Sequence, residues 1–254
     1  MPMVTVLRSL AFNLIYVTWT AMLGVLYLPL LAAPRRVVVG ATKLWLAGLR
    51  ATAWHVAGVR YRIEGLENLP AGPVIVAAKH QSAWDTFLFH GLLDDPAYVL
   101  KRELFRIPLV GWYMKAAGMV GIDRAAGASA LKAMMRACGA VLAEGRQVII
   151  FPEGTRTAPG DSRPYHPGVA ALYQRFPDVP VVPVALNSGR VWHRKAFLKH
   201  PGVVSVRILP PMDRGLDRRR FLEDLRARVE GAVADLPDPG AAIESRARDA
   251  APSP

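Results

Sequence analysis

The chain has 254 residues, 52% of them apolar, and carries 32 Lys and Arg against 20 Asp and Glu, a net charge of +12. That length suits one sizeable core with an accessory segment, and the charge suits a polyanionic partner: nucleic acid, an anionic membrane face or a phosphorylated substrate. The basic residues are scattered without an aromatic-interleaved platform, which argues against nucleic acid, and a single cysteine, Cys138, excludes an intrachain disulfide and fits a reducing compartment.

The first predicted element is an apolar helix. Residues 9–34, between Arg8 and Arg35, carry no charge over 26 positions, and about 20 helical residues cross a bilayer core. Tyr16, Trp19 and Tyr27 are aromatic groups of the kind found at membrane interfaces. Small residues in LAAPRR also suit a cleaved signal peptide, but the apolar run exceeds the usual h-region of about 7–15 residues. Pro34 separates this helix from a second. There Arg36, Lys43 and Arg50 fall seven apart and share one face, drifting about 20° per step. Val39, Leu44, Trp45, Leu46, Leu49 and Trp54 occupy much of the remainder. The pattern predicts an amphipathic helix on an anionic surface, its cations toward headgroups. The alternative is a helix packed on the core with a solvated face. Residues 1–58 are thus expected to be a membrane-associated segment, either one spanning helix or a hairpin dipping into one leaflet.

Past Arg60, short apolar runs alternate with helical patterns. PVIVAA (73–78), AYVL (97–100), GMVGI (118–122), QVIIF (147–151), VPVVPVAL (179–186) and VVSVRIL (203–209) read as strands. Residues 83–93, 128–145, 167–176 and 217–236 read as helices. Cys138 falls inside the second of these as a small core residue. Phe221, Leu225, Val229 and Val233 give the last a buried stripe. The alternation predicts an α/β fold over residues 59–236, a mostly parallel or mixed sheet flanked by helices. Residues 237–254 have the composition of a disordered tail.

His80 and Asp85 stand in AAKHQSAWDTFLFHG (77–91). Five helical residues subtend about 500°, so the two side chains cannot meet if both are helical. They can meet if His80 lies on a loop and Asp85 in the first helical turn. Ser82 offers that break, since Ser82 and Asp85 have the spacing of a capping box. His80 would then sit just outside the carboxyl end of a strand, where active sites of open α/β sheets gather. By itself the pair is weak, because Asp85 could merely cap the helix.

A second element strengthens it. VIIFPEGTR runs from a strand into a turn at Gly154 that could expose backbone amides. Arg156 offers a rigid fork of donors for a phosphate, and Glu153 a carboxylate for a substrate hydroxyl. GIDR (121–124) and LKREL place Arg124, Lys101 and Arg102 at two further strand ends. Together these cations are expected to form an anion-binding rim.

KHQSAWD (79–85), GIDR (121–124), FPEGTR (151–156) and VPVVPV (179–184) resemble, in order and approximate spacing, the four acyltransferase blocks of the lysophosphatidic acid acyltransferase family, bacterial type. The resemblance covers roughly residues 60–210 and implies a glycerolipid acyltransferase-like catalytic domain at 59–236 behind a membrane-associated amino terminus. It implies acyl transfer from a thioester to the 2-hydroxyl of lysophosphatidic acid, giving phosphatidic acid. By the same resemblance His80 is the general base and Asp85 its partner. Glu153, Gly154, Thr155 and Arg156 belong to the glycerol-phosphate-binding block, and Arg124 and Lys101 are further phosphate-side cations.

No cofactor is expected, because acyl-CoA or acyl-ACP (acyl carrier protein) enters as co-substrate, and no metal-ligand cluster is evident. Expected partners are lysophosphatidic acid, that donor and an anionic membrane surface. The expected location is the cytoplasmic face of the inner membrane. Two departures bear on the substrate: Lys79 stands where Asn is common, and GIDR lacks the aromatic that often precedes the Ile. The same blocks also serve other acceptors, and the basic faces alone would suit a non-catalytic lipid-binding protein.

Overall fold

The structure is a computed structural model, described here for residues 3–194 and 196–241. Seven strands form one mixed sheet: β1 (Val59–Glu64), β2 (Ile75–Ala78), β3 (Pro96–Lys101), β4 (Val120–Ile122), β5 (Gln147–Ile150), β6 (Val181–Leu186) and β7 (Gly202–Ile208). Their order is β1-β7-β6-β2-β5-β3-β4, with every neighbouring pair parallel except β6 and β7. The helices are α1 (Met3–Leu26), α2 (Arg35–Thr52), α3 (Trp84–Leu92), α4 (Val110–Ala116), α5 (Gly127–Ala143), α6 (Gly168–Arg175) and α7 (Arg218–Ala234).

The apolar runs become strands because the sheet is covered on both faces. Along β2, Val76 and Ala78 join the cluster of Phe12, Leu49 and Phe87 from α1, α2 and α3. Ile75 and Ala77 join Met134, Leu172 and Phe221 from α5, α6 and α7. Successive side chains of a strand point to opposite faces, so a strand buried on both reads as continuously apolar. In α7, Phe221, Leu225 and Val229 are fully buried, and each such side chain contributes about 1.5–3 kcal/mol.

Two elements escape the sequence reading. β1 alternates Val59, Tyr61 and Ile63 with Arg60, Arg62 and Glu64, the pattern of an edge strand with one face outward. The helix α4 is only seven residues long.

The amino-terminal helices share the body's core. One side of α1 is buried at Thr5, Ser9, Phe12, Leu23 and Gly24. Arg8 donates to Val56 O (2.7 Å), Asn13 to Phe197 O (2.8 Å) and Tyr113 to Gly24 O (2.8 Å). Its other side leaves Leu7, Leu10, Leu14 and Val17 between 53% and 63% exposed. The helix has mean hydropathy 1.6 over its most apolar window, long and apolar enough to cross a membrane.

The basic row of α2 corrects the expectation of cations aimed at headgroups. Lys43 Nζ donates to Leu93 O at 2.8 Å and Arg50 Nη1 to Phe87 O at 3.0 Å. Two of the three cations thus turn inward: Lys43 satisfies the carbonyl of the residue that caps the end of α3, where helix carbonyls lack partners and the dipole favours positive charge, and Arg50 adds a donor to a carbonyl in the middle of that helix. Arg36 alone of the three stays exposed. The start of the segment expected as a tail is tied to the body: Pro237 O accepts from Asn187 Nδ2 and Pro239 O from the Val203 N–H. Residues 242–254 lie outside the described part.

Candidate active site

Because β2, β5 and β6 are parallel neighbours, their carboxyl ends open on one edge of the sheet, where ligands of open α/β folds bind. His80 lies on the loop after β2 and Asp85 in the first turn of α3. Half of the expected capping box forms: Asp85 Oδ2 accepts from the Ser82 N–H (2.9 Å) and the Gln81 N–H (2.8 Å), but α3 begins at Trp84 with Ala83 at its cap, so Asp85 is the second helical residue and Ser82 Oγ accepts from the Trp84 N–H (3.2 Å) instead. The same Asp85 oxygen lies 2.9 Å from His80 Nδ1. The Ser188 hydroxyl, just past β6, donates to Asp85 Oδ1.

Four donors converge on the Asp85 carboxylate, which can only accept, so His80 Nδ1 carries a proton and the neutral tautomer this selects has its lone pair on Nε2. The ring stacks on Phe151 at 3.8 Å between centroids. The main chain of His80 is clamped as well: its carbonyl accepts from the Thr157 N–H (2.9 Å) and Thr157 Oγ1 (3.2 Å), and its N–H faces Glu153 Oε1 at 3.4 Å. Ser188 and Thr157 escaped the sequence reading. The signal available for Ser188 was its place immediately after an apolar strand.

A cavity of about 510 Å³ opens on the imidazole. His80, Lys101, Arg124, Gly154, Thr155 and Arg156 all line it, so the structure brings six of the eight expected site residues to one cavity. Asp85 stands behind His80, as an orienting group must. Glu153 corrects the expectation of a substrate-facing carboxylate. Its side chain is fully buried and meets Lys79 Nζ at 3.3 Å, and burial pushes its carboxyl up to about 7.

Gly154 needs a second correction, because its amide is not exposed. The N–H donates to Phe151 O at 2.9 Å, closing a tight turn at φ +66°, and its carbonyl accepts from Arg124 Nη1. A Cβ at Gly154 would meet His166 at 2.7 Å, so glycine is required both for the turn and for space.

The cavity has two chemical characters. Arg124, Arg156 and Arg194 stand in its polar part. Burial lowers the pKa of Arg156, Asp85 partly offsets this, and the nearby Arg194 guanidinium lowers it further; two guanidinia held together suit a dianion. Elsewhere Leu46, Phe87, Val110, Tyr113, Met114 and Met119 form an apolar wall. Tyr16 of α1 and Trp45 of α2 also contribute, so the amino-terminal helices help to build the site. An imidazole beside an arginine-lined, mostly apolar cavity has the chemistry to deprotonate the hydroxyl of an amphipathic phosphorylated substrate.

A family described as Acyltransferase matches residues 60–187, which places the protein among the acyltransferases. The chain is 36% identical over 198 residues to 1-acyl-sn-glycerol-3-phosphate acyltransferase of Pseudomonas aeruginosa, covering 78% of this chain and 77% of that protein. It is 30% identical over 201 residues to 1-acyl-sn-glycerol-3-phosphate acyltransferase alpha of Mus musculus, covering 78% and 70%. The chain belongs to the 1-acyl-sn-glycerol-3-phosphate acyltransferase family. Its fold is that of the crystal structure of PlsC from Thermotoga maritima, with a TM-score of 0.74 at 24% identity over 91% of this chain and 97% of the other.

Proposed function

We propose that the protein transfers an acyl group from a thioester, on coenzyme A or acyl carrier protein, to the sn-2 hydroxyl of 1-acyl-glycerol-3-phosphate. The product is phosphatidic acid. One observation carries this reading: the His80 imidazole, fixed by Asp85 at 2.9 Å, faces a cavity it shares with Arg156.

His80 Nε2 takes the proton of the acceptor hydroxyl as its oxygen attacks the thioester carbonyl. The C–O bond forms, the C–S bond breaks, and the imidazolium returns its proton to the leaving thiolate. Asp85 holds the imidazole in the productive tautomer and stabilises the imidazolium. Arg156, with Arg124, binds the acceptor phosphate, and Lys101 and Thr155 complete that wall. The apolar wall receives acyl chain. Transfer is direct, in a ternary complex.

The protein works at the cytoplasmic face of the inner membrane, where a cytosolic donor meets a lipid acceptor. The exposed apolar side of α1 supports that placement, as do Leu104, Ile107 and Trp112, which are 37–46% exposed beside Arg102 and Arg106.

The test is an assay of purified protein with lysophosphatidic acid and either acyl-CoA or acyl-ACP, read by lipid mass spectrometry. Phosphatidic acid is expected, and folded His80→Ala protein should make less than about one part in a hundred as much. Full activity in that variant, or no product with either donor, overturns the reading.

A further inference from the structure

The buried charges behind His80 are a feature the reaction itself does not use. Side chains alternate along β2, so Ala78 faces α1–α3 and the next residue, Lys79, faces the side of α7. His80 then returns to the cavity. Lys79 is 1% exposed, yet it is a lysine. Its ammonium donates to Glu230 Oε1 (2.7 Å) and Oε2 (2.9 Å) of α7 and to Asp161 O (3.3 Å), and meets Glu153 Oε1 at 3.3 Å.

Glu153 Oε1 is also the acceptor facing the His80 N–H, while Glu153 Oε2 is buried with no hydrogen-bond partner. The Tyr165 hydroxyl donates to Glu230 Oε1 at 3.0 Å. One chain of contacts therefore runs from α7 through Lys79 and Glu153 to the backbone of the base, and the residue after Glu153 opens the Gly154–Arg156 turn.

We propose that Glu230 and Lys79 are positioning residues: Glu230 carries the counter-charge of Lys79, which leaves Glu153 at the His80 amide and fixes the imidazole relative to the Arg156 turn. An ammonium taken out of water must be paired. With Glu230 present, the closer contacts of Lys79 go to that carboxylate, and Glu153 meets it only at 3.3 Å. If Glu230 loses its charge, Glu153 becomes the only carboxylate that Lys79 meets among the described residues. The pair tightens, Glu153 leaves the His80 N–H, and the loop carrying the base shifts. The lysine and the α7 carboxylate thus form a matched set, and removing both leaves one buried carboxyl, Glu153, which burial already pushes up to about 7 and which a site without the ammonium keeps neutral.

This inference rests on the proposed acyl transfer, and a double-mutant cycle tests it. Glu230→Gln is expected to lower kcat about tenfold, with KM for lysophosphatidic acid changed less than about threefold. Lys79→Asn combined with Glu230→Gln is expected to return kcat to within about threefold of the parent, because Asn still offers Glu153 a donor.

A spectroscopic arm needs no turnover. The Nδ1 proton resonance of His80, hydrogen-bonded to Asp85, should move in Glu230→Gln and return in the double variant. The proposal is overturned if Glu230→Gln keeps kcat within about twofold, if its loss only tracks its loss of folded protein by thermal unfolding, or if the two substitutions multiply independently. A parent enzyme without turnover whose resonance still responds would sink the reaction assignment and leave the positioning role standing. A resonance unmoved in all variants would sink the positioning role.

Discussion

Ser188 and Asp85 lie 103 residues apart in the chain, yet the serine hydroxyl donates to the carboxylate and joins the end of β6 to the first turn of α3. With His80 Nδ1 and two backbone N–H groups, it leaves Asp85 no freedom to turn. An asparagine there would aim an amide donor at some of these groups. Asp85→Asn is therefore expected to lower kcat by about 10²–10⁴, as loss of the orienting acid does in a serine triad. Ser188→Ala, which removes one support and spares the carboxylate, should cost about tenfold or less. Steady-state kinetics decide the matter, and an Asp85→Asn enzyme within tenfold of the parent contradicts the orienting role.

Arg156 and Arg194 line the same cavity and repel, and Asp85 offsets that repulsion only in part. Arg156→Met should raise KM for the phosphorylated acceptor about 10–100-fold, the worth of one charge-assisted contact, with a smaller effect on kcat. Initial rates across a range of lysophosphatidic acid concentrations measure the split. An unchanged KM would remove Arg156 from the phosphate site.

Glu153 gives stability a pH dependence of unusual sign. Burial raises its carboxyl to about 7, against about 4.3 in an unfolded chain. Between these values the unfolded chain has released the proton and the folded one keeps it, so stability falls as pH rises through the window, by up to about 4 kcal/mol, and is flat above it. Glu153→Gln should remove this decline. Thermal unfolding at pH 5 and pH 8 would show it as a smaller Tm difference in the variant, and an equal difference would refute it.

His90 acts in the opposite direction. Burial, then Lys43 and Arg50, lower its pKa to about 4, and its Nε2 lies 3.0 Å from Thr42 Oγ1. The unfolded chain takes up a proton below about 6.5 while the folded one stays neutral, so stability is lost as pH falls from about 6.5 to 4. His90→Gln should flatten that acid limb in denaturant titrations at pH 6.5 and pH 4.5. A limb of unchanged steepness would mean that other groups carry it.

The outward side of α1 presents Leu7, Leu10, Leu14 and Val17 in helical register. Leu10→Asn with Leu14→Asn should weaken co-sedimentation with phosphatidylglycerol vesicles by tenfold or more, since each leucine side chain withdrawn from the lipid forfeits about 1.5–3 kcal/mol. Turnover of a short-chain, monomeric acceptor should persist, because neither residue lines the cavity. Vesicle binding equal to the parent's would argue that α1 does not face lipid.

What the sequence makes legible follows from local physics. Strands buried on both faces leave uninterrupted apolar runs, and the His80–Asp85 loop announces itself because Ser82 and Asp85 have cap spacing. The cations of α2 are placed on one face by their period, but a period gives an angle and not the direction of the body, so Lys43 and Arg50 turn out to face α3. Glu153 reads as a substrate ligand because Glu230, which shares Lys79 with it, sits on a helix far along the chain. Ser188 is a single small residue beyond a strand, and only the parallel pairing of β2 with β6 reveals its target.

Phe12, Leu46 and Leu49 are wedged under the same strands that carry the base. Cutting the polypeptide before β1 would therefore not liberate a water-soluble enzyme from a dispensable anchor. It would strip α1 and α2 from one face of the sheet, leaving α3 there, and remove Tyr16 and Trp45 from the lining of the cavity. Anyone seeking a tractable fragment should keep the opening helices.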